Sequence, residues 1–242
     1  MFKGTILSVP RTEAIRSAAE YLRQIGLTVT ERCAPDVTHL LLPVPSFPQG
    51  DTYLAHLLVK LPEDIVIVGG NLNSPLLEGY TTIDLLHDPD YLASNAAITA
   101  QCTMEILESR TADTLQEKKV LVIGWGRIGK CLGQKLHTRC IATAIAARKS
   151  EDLAMIHALG HESISTEDLP EETGRFDIII NTVPELLLPN IQAKPDSVII
   201  ELASKPGITG ANIIQARGLP GKMAPAVSGK LIAKTFIRLA IS

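Results

Sequence analysis

The chain is poor in net charge, cysteine and long apolar runs, and each shortage excludes a class of protein. A net charge of −3 gives no sign of a nucleic-acid-binding face. No apolar run approaches the length of a membrane span, and the first residues lack the apolar core of a signal peptide. The cysteines form no C-x-x-C pair, so we expect reduced, mostly buried thiols in a cytosolic protein. They are Cys33, Cys102, Cys131 and Cys140.

Aromatic residues are also scarce, at 4% of 242 residues, whereas small and branched aliphatic residues are abundant. This composition is typical of parallel strands covered by helices. Strand patterns alternate with helix patterns along the chain. The sequence therefore predicts an α/β fold. We expect a Rossmann-type doubly wound parallel sheet together with a smaller, flavodoxin-like α/β domain at the N-terminus.

The patterns divide the chain into four parts. Residues 1–93 are expected to form the N-terminal α/β domain, on the substrate side. Residues 94–117 are expected to form a connecting helix, capped by Ser94, and a linker. Residues 118–225 are expected to form the Rossmann domain. Residues 226–242 are expected to form a helix that packs back towards the N-terminal domain.

A dinucleotide-binding fingerprint follows a buried-strand pattern at Val120–Gly129. Gly124 permits a tight turn, Gly126 lets the backbone approach a diphosphate, and Gly129 allows the next helix to pack closely on the strand. The helix predicted over Ile128–His137 then offers free N–H groups to the phosphates. A strand, a glycine turn and a helix in this order predict a nucleotide site.

The residues after the next predicted strand bear on the choice of cofactor. An NAD site usually has an acidic residue there, which binds the ribose 2′-hydroxyl. This chain has Arg148-Lys149-Ser150, and two cations with a hydroxyl suit a 2′-phosphate. We therefore predict NADP, with NAD as the alternative. A solvated basic turn is the other interpretation of these residues.

Asn181 and Thr182 end a further predicted strand, beside which the nicotinamide ribose usually lies, although ordinary capping of a strand end would also explain them. Arg127 is interpreted either as a phosphate contact or as an outward-pointing cation. The complete set of candidate cofactor residues is Gly124, Trp125, Gly126, Arg127, Ile128, Gly129, Arg148, Lys149, Ser150, Asn181, Thr182, Val183 and Pro184.

Three loops of the N-terminal domain follow predicted parallel strands, at the edge where such sheets bind ligands. They are Pro10–Thr12, Pro43–Ser46 and Gly69–Ser74, and as a set they are a candidate for half of a substrate cleft. Taken singly, they are explained by ordinary turns. Ser74 and Asn95 are the candidate substrate-binding residues.

Two further groups are interpreted as structural. His157 and His161 are four residues apart, but Gly160 interrupts the helix between them, so we interpret them as surface histidines without a metal role. Ser163–Thr166 is interpreted as a capping loop. After Gly207 the chain has no room for a crossover helix, so the last predicted strand, 213–216, is either lost or reached by an irregular connection.

The sequence resembles the A subunits of bacterial dipicolinate synthases over nearly its whole length, most strongly from about residue 118. The resemblance rests on Val120–Gly129, Ala146–Arg148, Asp177–Pro184, Glu201–Gly207 and Gly218–Pro225, and more weakly on Leu40–Val44 and Asn95–Thr99. Where the family usually has Thr-x-Glu-Gly, this chain has Thr99-Ala100-Gln101-Cys102. The first half is also short for the family.

The resemblance implies an NADP-dependent oxidation of dihydrodipicolinate to dipicolinate, a dicarboxylate made for spores. It also implies a partner, the flavoprotein-like B subunit, and we expect a homo-oligomer. Lys205, Lys222 and Thr99 are the candidate catalytic residues: a lysine would bind a substrate carboxylate or assist proton transfer, unless both lysines are simply solubilising. The alternatives are an oxidoreductase of another small carboxylate and a subunit that binds a dinucleotide without chemistry.

Overall fold

A computed structural model describes residues 2–46, 52–111 and 114–241. The chain forms two compact units, the first made of Met1–Asn95 with Pro220–Ser242 and the second of Ala96–Leu219. The domain limits expected after residues 93, 117 and 225 stay a prediction. No helix in the described ranges is both long enough and apolar enough to cross a membrane.

The first unit contains a five-stranded parallel sheet with the order β2-β1-β3-β4-β5. Its strands are β1 (Thr5–Ser8), β2 (Thr28–Thr30), β3 (Val37–Leu41), β4 (Val66–Gly69) and β5 (Thr81–Asp84). This is the flavodoxin-like strand order, which confirms the expectation for the N-terminal part of the chain. The edge strand β5 was not predicted, because its side chains are polar or only half-buried.

The second unit contains a six-stranded parallel sheet with the order β11-β10-β9-β6-β7-β8. Its strands are β6 (Val120–Ile123), β7 (Thr143–Ala147), β8 (Glu162–Ser165), β9 (Ile178–Asn181), β10 (Val198–Glu201) and β11 (Ile213–Gln215). Counted from β6, this is the Rossmann order 3-2-1-4-5-6 in reverse, so the predicted fold class is confirmed. The strand order changes direction at β6, because β7 and β8 lie on one side of it and β9, β10 and β11 on the other. Such sheets bind nucleotides at this switch point.

Eight α-helices connect and flank these strands in the described ranges. They are α1 (Glu13–Gln24), α2 (Thr52–Leu58), α3 (Pro89–Arg110), α4 (Arg127–Thr138), α5 (Ser150–Ala158), α6 (Leu169–Glu172), α7 (Leu219–Met223) and α8 (Pro225–Phe236). Helix α1 buries the stripe Ala14, Ile15, Ala18, Ala19 and Leu22 that its sequence spacing predicts. The hydroxyl of Thr12 accepts from the backbone N–H of Ile15, as expected for a cap.

The predicted cap of α3 is wrong. The helix begins at Pro89 and not at Ser94, which lies inside it. The carboxylate of Asp88 accepts from the backbone N–H of Tyr91 at 2.8 Å and also pairs with Arg238 at 2.5 Å. An aspartate cap followed by proline is a strong start signal, so the helix begins earlier than the apolar pattern alone suggests.

Helix α8 packs closely on α1 within the first unit. A Cβ atom at Gly229 would lie 2.5 Å from the carbonyl oxygen of Ala14 and 2.7 Å from the backbone nitrogen of Ala18. No side chain fits at that distance. The two helices therefore meet at a glycine, and Ile232, Ala233 and Phe236 of α8 join the core that α1 covers.

The strand β11 is present, although no helix precedes it. Ile199 of β10 pairs with Ile213, and Glu201 with Gln215. The connecting residues bond instead to the segment that follows β9: the N–H of Thr209 donates to the carbonyl of Leu188 at 3.0 Å. Of the two expectations for this region, the irregular connection is therefore the correct one.

Three interpretations of polar residues are wrong. Ser163–Ser165 belongs to strand β8 and not to a loop, a strand that was not predicted because its pattern is polar, although the hydroxyl of Ser165 does accept from the backbone N–H of Glu167 at 3.3 Å, as a cap would. His161 is buried and only 5.4 Å from the ring of His137, so it is not a surface residue. Of the four cysteines, all free, only Cys102 is buried, whereas Cys33 and Cys140 are exposed.

The buried His39 predicts an acid sensitivity of the first unit. Its Nε2 atom lies 3.3 Å from the carbonyl oxygen of Ala240, and its ring contacts those of Phe2 and Phe236. Burial lowers the pKa of His39, and the bond to Ala240 opposes this only in part. As the pH falls below about 6.5, the unfolded chain binds a proton first, so the free energy of unfolding should decrease.

Calorimetric melting of the chain and of His39→Gln across this pH range would measure the effect. The glutamine amide can still donate to Ala240 but does not titrate, so the variant should lose part of the acid-induced decrease. His161, whose pKa is also lowered by burial, is present in both proteins and cancels in the comparison. Equal decreases for the two proteins would rule out a contribution from His39.

Candidate dinucleotide site

The turn after β6 is shaped by Gly124, which adopts φ of +106°. A Cβ atom there would lie 2.5 Å from Thr182 Oγ1 and 2.7 Å from Val183 Cγ2. The hydroxyl of Thr182 in turn donates to the carbonyl of Ile123 at 2.9 Å. The end of β6 and the residues after β9 therefore pack together only because residue 124 has no side chain.

Gly129 brings helix α4 onto the same turn. A Cβ atom at this buried position would lie 2.0 Å from the carbonyl oxygen of Gly124. The obstructing atom belongs to the backbone and cannot rotate away. The close approach of α4 to β6 thus requires this glycine, as the sequence spacing predicted.

Gly126 differs from the two glycines beside it. It is the N-cap of α4 with φ of −79° and ψ of −168°, an extended conformation open to any residue. A Cβ atom there would meet no other atom within 4 Å. No contact in the described part of the fold requires glycine here. Glycine is an acceptable N-cap, and its lack of a side chain keeps the backbone open at the start of α4.

A cavity of about 370 Å³ adjoins this open backbone. Gly124, Trp125 and Gly126 line one side, and Ala146, Ala147, Arg148, Asp152, Thr166, Val183, Glu185 and Leu187 complete the lining. The free N–H groups at the start of a twelve-residue helix provide anion-binding donors beside it. The open glycine, the helix end and the cavity together fit the diphosphate and adenosine parts of a dinucleotide.

The three residues of the basic turn after β7, Arg148–Ser150, do not all line this cavity. Arg148 lines it, with its guanidinium 4.0 Å from Glu185 and its side chain 76% exposed. A pair this exposed is weak, so Arg148 can exchange its partner for a phosphate. Lys149 and Ser150 are not among the lining residues: Lys149 pairs with Glu151 at 3.3 Å, and Ser150 is the first residue of α5. The 2′-phosphate prediction thus depends mainly on Arg148.

The other fingerprint residues lie around the same turn. Trp125 lines the cavity, and the ammonium of Lys130 lies 5.8 Å from its ring centre. Arg127 is exposed at the first position of α4, and Ile128 is half-buried. A contact between Arg127 and a phosphate stays a prediction.

Asn181 has a different environment from the one expected of a cofactor contact. It is fully buried, and its amide donates to both carboxylate oxygens of Glu201 at 2.9 and 3.0 Å. It also bonds the backbone of Val183 in both directions. The side chain is therefore engaged within the protein, whereas Thr182, Val183 and the exposed Pro184 lie nearer the surface.

The candidate catalytic residues are spread over both units. Lys205 is exposed in the loop after β10, in the second unit, and Thr99 is buried there on α3. Lys222 is exposed in the first unit and lies in the short helix α7. Their assignment to catalysis stays a prediction.

The loops of the first unit lie at the carboxyl edge of its sheet, as expected. The hydroxyl of Ser46 donates to the carbonyl of Pro43 and accepts from the N–H of Gly70 at 3.0 Å. The hydroxyl of Ser74 accepts from the N–H of Leu76 and caps a short 3-10 helix. Asn95 is half-buried on α3. Ser46 therefore holds two of the loops together, and the substrate roles of Ser74 and Asn95 stay predictions.

Comparison with known proteins agrees with the observed fold. No family model matches the chain. Over 199 residues it is 29% identical to the A subunit of dipicolinate synthase from Bacillus subtilis (strain 168), covering 75% of this chain and 67% of that protein. The crystal structure of the corresponding dipicolinate synthase protein from Bacillus halodurans superposes with a TM-score of 0.81 at 22% identity, over 98% of this chain and 97% of that one.

The chain is therefore similar in sequence and in fold to dipicolinate synthase A subunits. The fold that it shares with these proteins also occurs more widely. A transhydrogenase from Sinorhizobium meliloti matches with a TM-score of 0.73 at 15% identity, over 97% of this chain and 92% of that one. At these identities the solved structures show that the chain shares their fold.

Sequence reasoning missed Glu201 as a residue of this site. In the sequence it is merely the first residue of a block that resembles the dipicolinate synthase A subunits. The structure places its carboxylate, fully buried, between the loops that follow β9 and β10. A charged residue at the end of the apolar strand Val198–Glu201 was the available signal, because carboxylates are almost never fully buried without partners.

Proposed function

We propose that this chain binds NADP and acts as the hydride-transferring A subunit of a dipicolinate synthase, oxidising dihydrodipicolinate to dipicolinate. Gly126 is the observation that carries the proposal. It is a glycine that the fold does not need, at the N-terminus of a helix that packs closely on its strand. An open backbone at that point serves a ligand that must approach the N–H groups, as a diphosphate does.

Different groups of residues would hold the two halves of the cofactor. The turn Gly124–Gly129 would bind the diphosphate, and Arg148 would bind the 2′-phosphate of the adenosine half. Thr182–Pro184 follow β9, on the other side of β6, and would adjoin the nicotinamide half. Bound there, NADP supplies the hydride acceptor.

The protein's own part in the reaction is positioning and proton transfer. Conversion of a dihydropyridine to a pyridine removes one hydride and one proton. Lys205, exposed beyond the carboxyl end of β10, would bind a substrate carboxylate or assist proton transfer. Lys222 is the candidate for the same roles in the first unit. The buried hydroxyl-bearing Thr99 would serve as a hydrogen-bonding group near the reaction.

The proposal also includes binding of a B subunit and self-association of the chain. The relatives are named as A subunits, which supports a complex with a second protein. The homo-oligomer and the cytosolic location expected from the sequence stay predictions.

A reconstitution experiment tests this function. The purified chain is mixed with NADP and dihydrodipicolinate, with and without a B subunit, while pyridine and NADPH absorbance are followed. We expect both absorbances to rise together in at least one mixture. No change in either mixture, although the protein binds NADP, would contradict the substrate assignment.

Arg148 offers a prediction about cofactor choice. Arg148→Ala removes the only cation among the described residues that line the 370 Å³ cavity beside Gly126. Because a charge-assisted bond contributes about 1.5–3 kcal/mol, the Kd for NADP should rise about tenfold or more, while that for NAD stays nearly constant. Calorimetric titration with both nucleotides measures this.

Arg139→Ala is the matched control for Arg148→Ala, since Arg139 is a partly exposed arginine of the same unit that pairs with Glu108. It should leave both affinities unchanged. If Arg148→Ala weakened NAD and NADP equally, the 2′-phosphate would not be bound at this turn.

One observation favours a second candidate, an oxidoreductase of another small carboxylate. Where dipicolinate synthase A subunits usually have glutamate, Gln101 is exposed, accepts from the ammonium of Lys135 at 2.9 Å and donates to Glu105. This position of α3 thus has one carboxylate fewer than in those proteins. A protein that binds NADP but leaves dihydrodipicolinate unchanged, and oxidises another carboxylate, would support this alternative.

A protein that binds a dinucleotide without chemistry is the remaining candidate from the sequence. Ligand binding to the folded state raises its apparent stability, so nucleotide titration followed by melting detects binding without turnover. Hydride transfer with any donor would exclude this candidate.

A further inference from the structure

The carboxylate of Glu201 accepts hydrogen bonds from the backbone of the loop that follows β10. Its Oε1 atom accepts from the N–H of Ala203 at 2.8 Å. Its Oε2 atom accepts from the N–H of Gly207 at 2.8 Å and from that of Ile208 at 3.1 Å. Three backbone donors of the Lys205 loop, defined as residues 203–208, therefore end on one fully buried side chain.

Asn181 connects the same carboxylate to the loop that follows β9. Its Nδ2 atom donates to Glu201 and to the carbonyl of Val183 at 2.9 Å, and its Oδ1 atom accepts from the N–H of Val183 at 3.1 Å. Asn181 and Glu201 are also register partners on the neighbouring strands β9 and β10. The pair thus links the two loops where their strands end.

Gly207 shows how closely these loops meet. A Cβ atom there would lie 2.3 Å from the carbonyl oxygen of Val183 and 2.9 Å from that of Glu185. The carbonyl of Gly207 accepts from the N–H of Leu187 at 2.8 Å. The Lys205 loop and residues 182–187 are therefore in backbone contact and form one continuous surface.

The sheet order places this surface on one side of the proposed cofactor site. Strand β6 lies between β7, which ends next to Arg148, and β9. A dinucleotide held across β6 puts its adenosine half beyond β7, so its nicotinamide half must lie beyond β9 and β10. The surface joined by Asn181 and Glu201 is the one that this half would meet.

We propose that Glu201 and Asn181 are positioning residues that hold the Lys205 loop and residues 182–187 in place for the nicotinamide half of the cofactor. The proposal rests on the proposed function, because it assumes a nicotinamide dinucleotide at this turn. Neither side chain touches the ligand: both act through the backbone that they hold.

Glu201→Gln is the sharpest test, because glutamine keeps the shape and changes the hydrogen bonding. One of its two terminal groups becomes a donor and faces either Ala203 or the N–H groups of Gly207 and Ile208. At least one backbone donor then loses its partner. Hydrogen exchange at those amides should accelerate about tenfold or more, while exchange in β6 and β7 stays unchanged.

Nucleotide affinity provides the readout that a purely structural role would not change selectively. NADPH is compared with 2′-phospho-ADP-ribose, which lacks the nicotinamide ring. In Glu201→Gln, the Kd for NADPH should rise about tenfold, while that for 2′-phospho-ADP-ribose changes by less than about twofold. Asn181→Ala should give the same selective loss. Glu162→Gln, an exposed glutamate paired with Arg175, is the matched control and should bind both ligands like the unaltered chain.

The outcomes separate this proposal from the proposed function. If the unaltered chain binds NADPH and Glu201→Gln binds it equally well, or weakens both ligands equally, the positioning role is wrong and the proposed function stands. Unchanged exchange at Ala203, Gly207 and Ile208 would overturn it as well. If the unaltered chain binds neither ligand, the proposed function fails and the positioning role fails with it.

Discussion

Replacing Gly126 by valine should abolish dinucleotide binding and leave the second unit folded. The backbone at this residue is already extended, a conformation that β-branched residues favour, and the added atoms would meet no other atom of the described chain within 4 Å of the Cβ position. The side chain would instead occupy the space through which a diphosphate approaches the start of α4. We expect the Kd for NADPH to rise at least about a hundredfold, equivalent to about 2.7 kcal/mol.

Calorimetric titration and thermal melting of the same samples measure both parts of this prediction. Valine is a poorer N-cap than glycine, so stability should fall by no more than about 1 kcal/mol. Gly174→Ala is a control in the same unit, because Gly174 is exposed and a Cβ atom there would have 4.0 Å of clearance. If Gly126→Val bound NADPH like the unaltered chain, the glycine would not mark a phosphate site.

Replacing Gly129 by alanine should have the opposite effect and destabilise the second unit by about 3 kcal/mol or more. The new methyl group would lie 2.0 Å from the carbonyl oxygen of Gly124, and relief requires that α4 move away from β6. Alanine favours a helix over glycine by only about 1 kcal/mol, so the clash dominates.

A graded series of glycine substitutions in denaturant measures this cost. At Gly133, also on α4, the nearest atom to a Cβ would be the flexible Cδ1 of Ile145 at 2.9 Å, so Gly133→Ala should cost less than Gly129→Ala. Gly174→Ala should cost almost nothing. A Gly129→Ala protein as stable as Gly174→Ala would contradict the close packing of α4 on the turn.

The fold and the centre of the site could be predicted from the sequence because their signals are local. The spacing of Gly124, Gly126 and Gly129 after an apolar run specifies a turn, an open backbone and a helix contact. Two polar strands at sheet edges, β5 and β8, escaped prediction because an edge strand has too few buried residues to show a pattern.

The environments of individual side chains could not be predicted, because they depend on residues distant in sequence. Asn181 ends a strand, and its position gives no indication that its amide donates to a residue twenty positions later. Lys149 follows Arg148 directly, yet only Arg148 lines the cavity. Partners of this kind are set by sheet register and loop packing, which single-sequence patterns do not contain.

A crystal structure of the chain with NADPH would test the central claim most directly. We predict density for the diphosphate against the backbone of Gly124–Gly126 at the start of α4, with the 2′-phosphate beside Arg148 and the nicotinamide half beyond β9. A nucleotide bound elsewhere on the chain, or none at a saturating concentration, would contradict it.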